Sequence, residues 1–66
     1  MKTIKYIVYF VDTSTVVVNT TNRRKAGILA MAEKINAGQD YEISHIVDEY
    51  GNKHVKAIAM AFNAVI

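Results

Sequence analysis

The stretch from Thr3 to Val11 is apolar on both of the sides that a β-strand presents. Its β-branched and aromatic residues suit a pleated strand. Side chains then alternate in direction, with Ile4, Tyr6, Val8 and Phe10 on one side. Ile7, Tyr9 and Val11 share the other with Thr3 and Lys5. Such a strand needs cover on two sides, and a chain of 66 residues has little to supply it. One domain is all that this length allows. A domain of this size buries only about 60% of its unfolded surface, and its core rarely contributes more than about 3–5 kcal/mol. There is no cysteine, so neither a disulfide nor a thiolate zinc site can staple the fold. Association with another chain is the staple that remains.

Asp12-Thr13-Ser14 reads as a turn, since these short side chains bond their own backbone. Residues 15–20 form a second strand, antiparallel to the first. Thr21 or Asn22 is a suitable N-cap for a helix over residues 23–37, in which Ile28, Met31, Ala32 and Ile35 recur at helical spacing. Gly38 suits the left-handed residue after the helix. Gly27 costs about 1 kcal/mol relative to alanine inside a helix, so it marks a close approach on the buried side. Residues 41–48 read as a third strand, with Gly51-Asn52 as the corner of the hairpin that follows. The last segment has two readings. Val55, Ile58, Phe62 and Val65 fit a helical seam, and the alanines between 57 and 64 prefer helix. Pairing across the corner instead sets Tyr41, Ile43, His45 and Val47 opposite Phe62, Met60, Ile58 and Lys56, a consistent register that favours a strand over 54–62. The expected fold class is α+β: ββαββ, a four-stranded antiparallel sheet with one helix packed on one face, as one domain over residues 1–66.

With 52% apolar and 21% charged residues, the chain has the composition of a folded globular domain. A net charge of +2 does not by itself imply nucleic acid. Lysines precede the first apolar run, but that run stops at Asp12 with no small-residue cleavage site after it, unlike a secretory leader. No stretch approaches the ~20 apolar residues of a membrane span. The lack of cysteine fits a reducing compartment, so the expected location is cytoplasmic.

One helix covers one face of a sheet. The reverse face would carry Ile7, Tyr9, Val11, Val17, Ile46 and Val55, a surface for another protein. This points to a non-enzymatic binding module, a homodimer acting as a regulator or inhibitor of a larger protein, the regulatory part resting on small size. Two plainer readings compete: a second helix from the chain's own tail covers that face, or it is ordinary half-exposed strand surface. Arg23, Arg24 and Lys25 start the helix at its positive end, where an anion would relieve their repulsion. With Lys5 and Tyr9 on the sheet they suggest an alternative, nucleic-acid binding, although no RNA-platform or helix-turn-helix motif is present. The plain reading of the triplet is a solvated basic turn.

His45 and His54 invite a metal hypothesis with Asp48 and Glu49, but His45 and Glu49 on one strand stand about 13 Å apart, too far to share an ion. A surface pair between Glu49 and His54, and a half-buried hydrogen-bonded His45, are the simpler expectations. Ser14 and Ser44 lack a nucleophile motif, and the three glycines form no phosphate loop. The sequence implies no catalytic residue, metal or cofactor.

Overall fold

The structure, a computed structural model, describes residues 2–65. Strands β1 (Ile4–Phe10), β2 (Thr15–Thr20) and β3 (Ile43–Asp48) form one antiparallel sheet in the order β2-β1-β3. Helix α1 (Arg23–Asn36) links β2 to β3, and α2 (Lys56–Val65) ends the chain. Both helices lie on one side of the sheet, where Tyr6, Val8, Phe10, Val18, Ile43 and Ile46 meet Ala26, Ala30, Met31, Ala57 and Ala61 in a single core. No helix among the described residues is long and apolar enough to cross a membrane.

The hairpin forms as the short polar side chains dictate. Asp12 Oδ1 accepts from the Ser14 amide at 3.0 Å and from the Ser14 hydroxyl, while Thr13 takes a left-handed φ of 74°. Lys34, in the last turn of α1, is buried with its ammonium 2.9 Å from Asp12 Oδ2. It also donates to Ser14 Oγ and lies 4.9 Å from the centre of the Phe10 ring. Asn22 caps α1 by accepting from the Lys25 amide, and Gly38 follows the helix at φ 70°.

The fourth strand is a helix. The expected strand over 54–62 does not form: pairing with β3 stops at an isolated bridge from Val47 to Lys53 and a bond from the His54 amide to the Ile46 carbonyl, and the chain then enters α2. The reason lies in β3. Tyr9 pairs with His45 and Phe10 with Ile43, so Ser44 is an extra, bulged residue. The bulge puts Ile43 on the core side but turns His45 and Val47 to the other. Tyr41, Ile43, His45 and Val47 therefore share no face, and the register that favoured a strand dissolves. A helix satisfies its own backbone, and Ala57 and Ala61, four residues apart, let it sit against α1. Ile46, expected on the reverse face, lies opposite Val8 and is fully buried for the same reason.

Helix α1 is also rotated from its expected setting. Ala26, Gly27, Ala30, Met31 and Lys34 face inward, whereas Ala32 and Ile35 are exposed and Ile28 is half-buried. The inner stripe is made of small residues because α2 lies close by. A Cβ built on Gly27 would stand 2.6 Å from that of Ala61. The close approach expected at Gly27 is thus to the second helix before the sheet.

Candidate functional site

With both helices on one side, the reverse of the sheet has no cover from the described chain. Its side chains form rows across the strands. Val17, Ile7 and Val47 make the central row, Thr15, Tyr9 and His45 the next, and Asn19 and Lys5 a third. The Tyr9 and His45 rings stack at 4.3 Å with 17° between planes. His45 is half-buried, and its Nδ1 is 3.1 Å from Ser44 Oγ, within hydrogen-bond distance. Among the described residues, Lys5 is the one formally charged side chain on this side of the three strands. The face is therefore aliphatic at its centre and close to neutral.

Of the six residues expected on this surface, Ile7, Tyr9 and Val17 are brought together. Ile46 is in the core. Val11 lies beyond β1, where its amide donates to the Glu42 carbonyl at 3.0 Å, and its side chain is half-exposed. Val55, 62% exposed, belongs to a different surface, an apolar groove of about 330 Å³ between α2 and the approach to β3 whose lining includes Met31, Tyr41, Ile58 and Phe62. Val47 was missed, because its place on the open face depends on the bulge at Ser44.

The basic residues separate. Lys5 neighbours Tyr6 on β1 and therefore points to the opposite side of the sheet from α1. Arg23 and Arg24 border a cleft of about 380 Å³ with Tyr6, Asn22, His54 and Met60. A second cleft of about 310 Å³ shares Arg23 and His54 with the first and is completed by Lys53, Val55 and Lys56. Lys25 borders neither. The first residues of both helices, Arg23 and Lys56, thus meet at one place, and neither helix has an acidic residue in its first turn.

The carboxylate at that end of the sheet is Asp48, which is buried and fully engaged. Its Oδ1 accepts from the amides of Tyr50 at 2.9 Å and Asn52 at 3.0 Å. Its Oδ2 accepts from Asn52 Nδ2 at 3.3 Å and from His54 Nε2 at 2.8 Å. Burial works to raise the carboxyl, but the Asn52 amide, His54 and the remaining donors outweigh it and hold the group at about 2. His54 thus pairs with Asp48 rather than with Glu49, whose Oε1 accepts from the Lys5 amide at 2.7 Å. Burial first, and the Asp48 charge second, push the Tyr6 phenol up, with Arg23 opposing them. Its hydroxyl is therefore protonated, and a donor, at neutral pH. No three His, Asp or Glu side chains among the described residues are grouped to hold a metal ion.

Compared with protein families, curated proteins and solved structures, the chain has no significant match.

Proposed function

We propose that this chain is a non-enzymatic binding module that self-associates through the open face of its sheet, with Ile7, Tyr9, Val17 and Val47 at the contact. The observation that carries the reading is the placement of both helices on one side, which leaves a near-neutral aliphatic row with no layer over it on the other, Val17 exposed and Ile7 and Val47 half-buried. A second copy is the occupant that fits best. The face is apolar at its centre, carries one charge, and has rows that a two-fold axis can match to themselves. Two such faces would stack as a sandwich about 10 Å apart.

The size of the face sets the strength. Three strands about 4.8 Å apart, six residues long at about 3.3 Å each, cover roughly 300 Å². Stable interfaces bury about 800 Å² per partner, so the dimer belongs at the weak, micromolar end. By sedimentation, the protein is expected to move from monomer to dimer across micromolar concentrations, and Tyr9→Lys to remain monomeric. A monomer at every concentration, or a dimer untouched by Tyr9→Lys, refutes the reading.

Nucleic-acid binding is the weaker alternative. It needs Lys5 and Tyr9 to act with Arg23 and Arg24, and these groups lie on opposite sides of the sheet. A strand of nucleic acid would have to pass around an edge to touch both.

A further inference from the structure

We propose that the cleft at the N-terminus of α1 is a binding site for a compact phosphate group, held by the Tyr6 hydroxyl and the guanidinium groups of Arg23 and Arg24 that line it. The start of α1 lies there, carrying the positive end of a helix dipole. Arg23 and Arg24 add full charges at the same place, with no acidic residue in the first turn of α1 to offset them. The one buried carboxylate nearby, Asp48, is occupied by four hydrogen bonds. Its negative charge opposes an incoming anion and is outnumbered by the two arginines.

The independent observation is Tyr6. The residue is 5% exposed, yet its hydroxyl makes no hydrogen bond among the described residues. Buried polar groups normally have a partner. Among the described residues no side-chain polar atom fully shut off from solvent is left unpaired, so this hydroxyl keeps contact with the cleft that its residue lines. It is a donor, and Tyr6 shares the lining of that cleft with Arg23 and Arg24. The amides of Arg23 and Arg24 also make no hydrogen bond among the described residues, so they add donors of the kind that oxyanions take at helix starts.

The ligand is compact. Lys5, the nearest cation along β1, points to the other side of the sheet, and Lys53 and Lys56, which continue the basic surface past Arg23, line a separate cleft. A free phosphate or the end of a small phosphate monoester fits a cleft of about 380 Å³. The proposal does not depend on the open sheet face, and Tyr9→Lys is expected to leave it intact.

The test is a titration of the whole chain with inorganic phosphate at low ionic strength, followed by amide chemical shifts, with sodium chloride matched for ionic strength as control. Saturable shifts are expected at Arg23 and Arg24. Tyr6→Phe removes a hydroxyl that bonds no other described residue, so its melting temperature should be unchanged. Its phosphate affinity should fall about tenfold, the loss of one hydrogen bond to a charged group. The double variant Arg23→Gln, Arg24→Gln should not bind. The proposal is overturned by shifts that do not saturate, that chloride reproduces, or that Tyr6→Phe leaves undiminished. It is also overturned if a single-stranded oligonucleotide binds more tightly than phosphate with shifts that extend to Lys5, since the occupant would then be a nucleic-acid backbone.

Discussion

Two aspartates hold the loops of this fold at opposite ends of the sheet. Asp12 closes the β1–β2 turn. The Ser14 hydroxyl, and then the Lys34 ammonium, hold its carboxyl at about 2. Asp48 does the same for the loop after β3, with burial outweighed by its amide and histidine donors and the same result of about 2. Both groups ordinarily titrate near 3.8. Below that value the unfolded chain binds protons that the folded chain still refuses, so protonation favours unfolding. The stabilisation is complete above about pH 5 and is lost as the pH falls toward about 2. Urea midpoints measured from pH 7 to pH 2 should be level down to about pH 5 and then drop. In Asp48→Asn the midpoint should be lower at neutral pH, because an amide nitrogen then faces the donors of Asn52 or His54, and the acid drop should be shallower. An acid drop of equal depth in the variant would show that Asp48 is not one of the groups responsible. The turn at Asp12 was legible from sequence, because its bonds are local. The Lys34 contact was not, since it spans 22 residues and a lysine is ordinarily read as exposed. The Asp48–His54 pair was hidden by the strand reading, which turned Glu49 toward His54 instead.

At the level of elements, the first two strands, the first helix and the third strand were readable because hydrophobic alternation, an N-cap asparagine and a terminal glycine are local signals. Two things were not. A single bulged residue, Ser44, reverses the faces of β3, and nothing in its immediate sequence announces it. The final segment carried signals for both strand and helix, and the pairing that favoured strand was built on an unbulged neighbour. With that pairing gone, the helix packs on α1 at a contact between distant residues, Gly27 with Ala61, and that contact can be tested. Gly27→Ala would place its Cβ 2.6 Å from that of Ala61, a clash between rigidly held atoms. Overpacking of this kind typically costs about 1–3 kcal/mol, against a gain of about 1 kcal/mol from replacing a helical glycine. The substitution is expected to lower the melting temperature. In an Ala61→Gly background the clash is gone and the next neighbours, the Ile46 and Ile43 Cδ1 atoms, stand at 3.5 and 3.8 Å, ordinary contact. There Gly27→Ala should become stabilising. Thermal melts of the four proteins measure this reversal, and the same sign in both backgrounds would mean that the two helices do not meet at this point.

For the molecule as a whole, the open sheet face ties stability to association. A chain this short has little core to spare, and half of its sheet surface contributes nothing to that core. If a second copy covers that surface, folding draws on the dimer by mass action, worth about 2.7 kcal/mol when a ligand is a hundredfold above its dissociation constant. Since 1 kcal/mol moves the melting temperature of a small domain by about 4–8 °C, the effect is measurable. The melting temperature should rise by several degrees between low and high micromolar protein. Val17→Thr separates association from intrinsic stability. Val17 is 55% exposed, and threonine keeps its β-branched shape on the strand, so the dilute protein should melt as before. The hydroxyl would then enter the aliphatic centre of the interface without a partner, which costs free energy in the dimer alone, and the rise with concentration should flatten. Ile46→Thr, on the core side of the same sheet, should instead lower the melting temperature equally at every concentration. A wild-type melting temperature that does not change with concentration would mean that the bare face is tolerated by the monomer, and the binding reading would lose its physical basis.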